Sequence, residues 1–213
     1  MEINLKSIGD GIYTKNLDPG NTIYGEDVVE TEDGEFRQWD PNRSKLAAFV
    51  KKGLDYIFED QVKILYLGAA TGTTVSHISD LCPRGDVYAV DYAEKAILKL
   101  LKNTRNRRNV FPIYADAYKP WKYSQLVDQV DLIYQDVSHR KQTEILKRNS
   151  SSFLKDGGKV FFMVKSANID VTEKPEKVFE KQKKKLKGFN IIKEEKLEPY
   201  HEDHLAIFAE YNK

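Results

Sequence analysis

The chain has few of the residues from which covalent cross-links or metal sites are made. Its 213 residues include one cysteine, Cys82, and four histidines that are scattered along the sequence. A single cysteine excludes an internal disulfide, and the histidines are not spaced as metal ligands are. We therefore expect no metal site, a packing role for Cys82, and a reducing, cytoplasmic environment.

Long apolar segments are also missing. No apolar run approaches the ~18 residues that a membrane-spanning helix needs. The first ten residues lack the basic-then-apolar pattern of a signal peptide. Hydrophobic residues make up 40% of the chain and charged residues 31%. This composition predicts a globular protein with a substantial core and no membrane contact.

A net charge of +1 conceals an uneven distribution of charge. Residues 1–60 contain 7 Lys or Arg against 13 Asp or Glu, whereas residues 140–213 contain 17 against 12. A protein that binds nucleic acid by itself usually has a larger basic excess. If this chain acts on nucleic acid, other molecules are expected to supply much of the binding.

The first forty residues differ in pattern from the rest. Short strand-like segments are separated by turn-forming residues up to about Trp39. These segments are INLKSI, GIYTKN, TIYG, DVVET and EFRQW. The pattern predicts a small antiparallel β subdomain over residues 1–40.

The remaining residues, 41–213, predict a Rossmann-like α/β domain. A helix starts near Asn42 or Ser44 in PNRSKLAAFVKKGLDYIF, and strand-like and helix-like segments then alternate, with a short helix around WKYSQLV. Two strands end the chain, and we expect them to pair antiparallel at one edge. The repeated βα units predict a mostly parallel sheet with helices on both faces.

A glycine turn follows the first strand of this domain. The segment YLGAATGTTVSHISD has Gly68 and Gly72 between an apolar strand and a predicted helix. Such a turn lets the main chain approach a nucleotide closely. It matches neither the dinucleotide pattern G-x-G-x-x-G nor a P-loop, and it contains no Lys or Arg to neutralise phosphate.

Acidic residues follow three successive strands. Asp91 ends VYAVD, Asp116 ends IYAD and Asp136 ends LIYQD. Ligands of open α/β sheets bind at this carboxyl edge, where an acid can accept both ribose hydroxyls. An acidic edge suits a ligand with a ribose, an amine and a positive centre, which S-adenosylmethionine combines. The rival interpretations are a nicotinamide nucleotide site, or ordinary capping roles for Asp116 and Asp136.

Several motifs resemble the fibrillarin family over the whole chain. They are RSKLAAFV, ILYLGAATGTTVSHISDL, VYAVDYA, ADAYKPWKY, DLIYQDVSH and YHEDHLAIF. The resemblance implies a methyltransferase fold and methyl transfer from S-adenosylmethionine to a ribose 2′-hydroxyl of RNA, either rRNA or tRNA. It also implies a guide RNA that selects the target within a box C/D ribonucleoprotein. The sequence has no glycine- and arginine-rich extension, so it resembles the archaeal type.

The resemblance also implies a reaction centre and a set of cofactor contacts. The four expected catalytic residues are Lys45, Asp136, Lys165 and His204, with Asp136 orienting Lys165. The expected contacts to S-adenosylmethionine, which include a stacking role for Tyr92 on the adenine, are Gly68, Ala70, Thr73, Thr74, Asp91, Tyr92, Asp116, Ala117, Asp136, Val137, Ser138 and His139.

The implied partners are proteins and RNA of the same particle. They are a box C/D guide RNA, its target RNA, a Nop-family scaffold protein and a kink-turn-binding protein.

The sequence departs from the usual family pattern at three places. It reads DVSHRKQ where the family commonly has DVAQPNQ, and KSANID where the family commonly has KARSID. It also has Asp91 where Glu is frequent in the family. The lysines of KQKKKLK are interpreted as a solvated helix face rather than an RNA site.

Three other functions stay open at the level of sequence. The first is methyl transfer to another substrate, such as tRNA, a protein side chain or a small molecule. The second is a non-catalytic structural subunit of the same particle, which the presence of all four expected catalytic residues disfavours. The third is a nicotinamide dehydrogenase, disfavoured by the missing third glycine. Fold alone does not separate them.

Overall fold

Two β-sheets form the frame of the protein, as a computed structural model shows for residues 4–213. The strands of the smaller sheet are β1 (Leu5–Ile8), β2 (Gly11–Lys15), β3 (Val28–Thr31) and β4 (Gly34–Gln38). They pair antiparallel in the order β1-β2-β4-β3. The small antiparallel sheet predicted near the N-terminus is therefore confirmed.

The larger sheet has seven strands in the order β10-β11-β9-β8-β5-β6-β7. They are β5 (Lys63–Leu67), β6 (Asp86–Asp91), β7 (Val110–Tyr114), β8 (Val130–Gln135), β9 (Leu154–Lys165), β10 (Phe189–Lys196) and β11 (His204–Tyr211). Strands β5 to β9 are parallel, and β11 pairs antiparallel with both β9 and β10. The Rossmann-like sheet and the antiparallel final pair are confirmed. The strand order reverses beside β5, where such sheets bind ligands.

Helices cover both faces of the larger sheet. They are α1 (Lys45–Lys51), α2 (Thr73–Leu81), α3 (Glu94–Thr104), α4 (Gln142–Phe153) and α5 (Pro175–Lys185). Successive side chains of β5 point to opposite faces of the sheet, and each face has its own hydrophobic core. Ile64 packs in the core that includes residues of α1, α2 and α3, and Leu65 packs in the core that includes residues of α4 and α5. None of the helices in residues 4–213 has the length and apolarity needed to cross a membrane.

Helix α1 is shorter than its sequence pattern predicts. Ser44, one of the two predicted caps, accepts a hydrogen bond from the Ala47 N–H at 3.3 Å. The helix ends at Lys51, well before Phe58, because Gly53 adopts a left-handed φ of +84°.

Two other local predictions were wrong. TIYG is not a strand, because the Glu26 carboxylate accepts hydrogen bonds from the N–H groups of Ile23 and Tyr24 and bends the chain there. WKYSQLV has only a 3-10 turn at Pro120–Lys122, because the next residue, Tyr123, turns inward to a fully buried position. Of the predicted strand INLKSI, Ile3 lies outside the described residues.

A buried polar network centred on Asp80 joins the small sheet to α2. One Asp80 oxygen accepts from Arg37 Nε at 2.6 Å, and the other accepts from Arg107 at 2.5 Å. The Thr14 hydroxyl also donates to Asp80 at 2.8 Å. Arg37, which belongs to β4, also forms a 2.5 Å ion pair with Glu26. These charges have almost no exposure to water, so each depends on its partners.

His77, which lies on α2, is fully buried in the same network. Its Nδ1 is 2.7 Å from the Thr14 hydroxyl and its Nε2 is 2.8 Å from the Tyr24 hydroxyl. The indole of Trp39 stacks on its ring at 5.3 Å between centroids. Burial, with the nearby charges of Arg37 and Arg107, holds the pKa of His77 well below its usual value. The imidazole is therefore neutral in the folded protein.

Replacing the central acid of this network is expected to destabilise the fold severely. Asp80→Ala leaves two buried guanidinium groups without their shared carboxylate, which costs about 3–5 kcal/mol. Asp33→Ala removes the same group from a surface pair with Lys6 and is expected to have little effect on stability. Urea unfolding of both variants measures this difference, and similar losses would contradict a central role for Asp80.

Protein stability is expected to decrease in acid because of His77. In the unfolded chain a histidine binds a proton below about pH 6.5, whereas the folded state keeps His77 neutral. The unfolding free energy therefore falls as pH decreases, by about 1.4 kcal/mol per pH unit for each such histidine. His77→Asn should flatten the dependence between pH 6.5 and 5, measured by urea unfolding. An unchanged slope in His77→Asn would contradict this role of His77.

Candidate active site

The glycine turn brings two segments of main chain into direct contact. Gly68 has a left-handed φ of +86°, and its N–H donates to the Val90 carbonyl at 3.0 Å. A Cβ at Gly68 would lie 2.2 Å from the carbonyl oxygen of Asp136. Only glycine satisfies both the conformation and this contact. The turn therefore packs directly on the loop that follows β8.

A cleft of ≈ 640 Å³, counted with its open mouth, lies at the carboxyl ends of β5, β6, β7 and β8. Ten of the twelve expected cofactor residues line it: Gly68, Ala70, Asp91, Tyr92, Asp116, Ala117, Asp136, Val137, Ser138 and His139. The sequence-based residue set is thus brought together at one place.

Thr73 and Thr74 do not line the cleft. Thr74 is buried, and its hydroxyl donates to the Ser44 hydroxyl at 3.0 Å, so it connects α2 to the start of α1. Three apolar lining residues were not predicted: Val90, Ala115 and Ile145. Val90 directly precedes Asp91 and Ala115 directly precedes Asp116, so their positions in the cleft could have been predicted from the sequence. Ile145 belongs to α4, and no sequence pattern connects it to the cleft.

The cleft is acidic, and backbone groups hold two of its three acids. Asp91 accepts hydrogen bonds from the N–H groups of Ala70 and Ala93, each at 2.8 Å. Asp116 accepts from the Tyr118 N–H at 2.9 Å. Three carboxylates line the cleft and no Lys or Arg does, so a phosphate would meet no countercharge. A ligand with hydroxyl groups, an amine and a positive centre fits this lining.

The four expected catalytic residues converge beside the cleft. Asp136 follows β8, Lys165 ends β9 and His204 begins β11, and these three strands are adjacent. The Cα of Lys165 pairs with that of His204 in the β9–β11 register. Lys45, the first residue of α1, reaches Asp136 with Nζ 2.6 Å from Oδ2.

The pairing within this group differs from the sequence-based expectation. Asp136 forms its ion pair with Lys45, not with Lys165. The main chain of Lys165 is held instead by the side chain of Gln142, which accepts from its N–H at 3.3 Å and donates to its carbonyl at 3.2 Å. Gln142 is fully buried at the start of α4. No sequence pattern marked this glutamine, because its role depends on the packing of α4 against β9.

Two histidines lie next to the Lys45–Asp136 pair. His204 is mostly buried, and its Nδ1 is 2.6 Å from the Glu202 carbonyl, to which it donates. The ring of His201, which sequence reasoning missed, lies 5.8 Å from that of His204, and its Nε2 donates to the Pro41 carbonyl at 2.9 Å. Burial lowers the pKa of both histidines, and the positive charge of Lys45 lowers them further.

Fold and site together define a class: a Rossmann-like methyltransferase with a small N-terminal sheet. The fibrillarin family model matches residues 3–213. A fibrillarin-like rRNA/tRNA 2′-O-methyltransferase of Methanosarcina barkeri is 46% identical over 96% of this chain and 97% of its own. This chain belongs to the fibrillarin family.

Solved structures agree with this membership. A fibrillarin in complex with Nop5p matches with a TM-score of 0.92 and 45% identity, over 100% of this chain and 99% of that one. Fibrillarin of Aeropyrum pernix, solved with natively bound S-adenosyl-L-methionine, matches with a TM-score of 0.88 and 42% identity, over 96% and 92%. Both cover the small sheet as well as the large one.

Adding one methyl group at Gly68 is expected to disrupt the cleft. In Gly68→Ala the new Cβ collides with the Asp136 carbonyl, so the turn and the loop after β8 must separate. Gly157→Ala is the matched control, because Gly157 has a φ of +73° but open space around its Cβ position. We expect Gly157→Ala to cost about 1 kcal/mol and Gly68→Ala clearly more. Equal losses in thermal unfolding would show that backbone strain alone matters at Gly68.

Proposed function

We propose that this protein transfers a methyl group from S-adenosylmethionine to the 2′-hydroxyl of a ribose in RNA. The observation that carries the proposal is the double role of Asp136. Its main chain forms a wall of the cleft against Gly68, and its carboxylate is ion-paired with Lys45 at the reaction centre. Family membership supports the reaction type, since relatives that share 46% identity are named as rRNA/tRNA 2′-O-methyltransferases.

The cleft fits S-adenosylmethionine by shape and by charge. Gly68 provides close main-chain approach, and the three carboxylates suit a ligand without phosphate. Asp91 would accept the ribose hydroxyls and Asp116 the adenine amine, while the exposed ring of Tyr92 would stack on the base. When bound, the cofactor supplies a methyl group on a positively charged sulfur. Asp136 would face that charge.

We assign different roles to the basic residues of the reaction centre. Lys45 is neutralised by Asp136 and positions it. His204 donates Nδ1–H to a carbonyl, which leaves Nε2 as an acceptor, and its lowered pKa keeps the ring neutral near pH 7. We therefore assign His204 Nε2 as the acceptor of the 2′-hydroxyl proton. Lys165 stabilises the oxygen as that proton leaves.

The protein is proposed to act as the catalytic subunit of a box C/D ribonucleoprotein. In this particle a guide RNA selects the target, a Nop-family scaffold holds the enzyme, and a kink-turn-binding protein holds the guide. The near-neutral charge supports a division of labour, because the chain lacks the basic excess of an independent RNA binder. The similarity to a fibrillarin solved with Nop5p supports the scaffold. The expected location is the cytoplasm.

Cofactor binding is tested first by calorimetric titration of the purified protein with S-adenosylmethionine, with NAD as the control ligand. Asp91→Ala should weaken binding of S-adenosylmethionine roughly 10- to 100-fold, because a hydrogen-bonded charge is lost. Asp33→Ala, an exposed acid far from the cleft in sequence, should bind normally. Binding of NAD in preference to S-adenosylmethionine would contradict the proposal.

The proton acceptor is tested by the pH dependence of single-turnover methylation in the assembled particle. If His204 is the base, the rate should rise with pH and level off at a lower pH than an ordinary histidine of pKa about 6.5 would give, because burial lowers the pKa of His204. His204→Asn should lower the plateau by roughly 10²–10⁴-fold. A rate that keeps rising above pH 8 in the wild type would assign the proton to a lysine instead. Full activity of Asp136→Asn and Lys165→Ala would contradict the assignment of these two residues to the reaction centre.

A further inference from the structure

A group of aromatic and basic side chains borders the cofactor cleft, and apart from His139 its members have no part in the functions assigned above. We call it the Trp121 patch: Tyr118, Trp121, Lys122, His139, Lys141 and Arg148. It joins the 3-10 turn at Pro120–Lys122, the loop after β8 and the outer side of α4. His139 is at once part of this patch and part of the cleft lining.

The patch contains a stack of planar groups that ends in an open indole. The guanidinium of Arg148 lies 4.0 Å from the ring centroid of Tyr118 and 5.9 Å from that of Trp121. The ring of His139 also stacks on that of Tyr118, with 5.8 Å between centroids. Arg148 is fixed by hydrogen bonds to the Tyr118 carbonyl and to Glu144. The indole of Trp121, in contrast, is 58% exposed.

The charge around this indole is positive. Lys122 directly follows Trp121, and the Lys141 ammonium lies 5.0 Å from the Tyr118 centroid. Lys119 and Arg140 are exposed at the edges of the patch. The acids in contact are Glu144, paired with Arg148 and Lys141, and Asp116, paired with Lys119. Cations therefore outnumber carboxylates here, whereas the carboxylates in the lining of the adjacent cleft are accompanied by no Lys or Arg.

We propose that the Trp121 patch binds the substrate RNA strand, with one unpaired base stacked on Trp121 and flanking phosphates near Lys122 and Lys141. An exposed aromatic ring among cations is the arrangement by which proteins hold single-stranded nucleic acid. The position at the mouth of the cleft would place this strand beside the cofactor. The proposal rests on the proposed function, because it takes RNA as the substrate.

The other strongly basic surface is a poorer candidate. The lysines of α5 are partly neutralised, since Lys183 pairs with Glu180 and Glu194, and Lys181 pairs with Glu173. The aromatic residue of that helix, Phe179, is buried, so it offers no stacking surface. This helix provides a control surface of similar charge.

The two tryptophans make the proposal directly measurable. Trp39 is fully buried, and Trp121 is the exposed one. Titration of the purified protein with a single-stranded oligouridine at low salt should quench the emission of Trp121. Trp121→Phe should lose the quenching but keep most of the affinity, as measured by anisotropy of a labelled oligouridine. Trp121→Leu should bind roughly tenfold more weakly.

Charge variants and a polyanion distinguish base stacking on Trp121 from unspecific electrostatic attraction of RNA. Lys122→Glu should weaken binding and reduce its salt dependence, whereas Lys185→Glu, the same change on α5, should have little effect. Equal effects of both variants, or quenching by heparin equal to that by RNA, would overturn the proposal in favour of unspecific anion binding. No quenching at all would overturn it in favour of a protein partner. Trp121→Leu should still bind S-adenosylmethionine normally, so this result is independent of the cofactor test.

Discussion

The buried carboxylate of Asp80 is the interaction on which the rest of the structure depends. It binds an arginine from the small sheet and another from the segment after α3, and it belongs to α2, the helix that starts at the glycine turn. A buried charge tolerates little displacement, because each lost contact exposes an unpaired group to a medium of low dielectric constant. The small sheet and the nucleotide turn therefore share one rigid support.

Hydrogen bonds and one ion pair connect this support to the active site. Thr74, near the start of α2, donates to Ser44, which caps α1. Helix α1 begins at Lys45, and Lys45 reaches Asp136. The main chain of Asp136 in turn packs against Gly68, at the entrance to the same turn. The cofactor cleft and the reaction centre are thus parts of one closed ring of contacts, so a shift in either one must move the other.

The parts of the site that follow strand ends were predictable, because parallel strands bring their carboxyl ends to one edge. Asp91, Asp116 and Asp136 could be assigned to this edge from local pattern alone. Gln142 and His201 could not, since a glutamine at a helix start and a histidine in a turn carry no pattern. The burial of His77 could not be predicted for a related reason: the face of α2 that carries it became interior once the small sheet covered it. The bend at Glu26 was missed because the carboxylate that binds the Ile23 and Tyr24 N–H groups is also ion-paired with Arg37, which belongs to a separate segment.

Local order in this protein was set by the amino-acid sequence alone: alternation of strands and helices, the position of the glycine turn, and the acids at the strand ends. These depend on side-chain periodicity and on backbone freedom within a few residues, which act before any long-range contact forms. The tertiary structure alone decided that Lys45 pairs with Asp136, that Arg107 is buried against Asp80, and that Arg148 lies between Tyr118 and Trp121. Each of these depends on groups far apart in the chain, whose distance is determined only by the packing of sheets and helices.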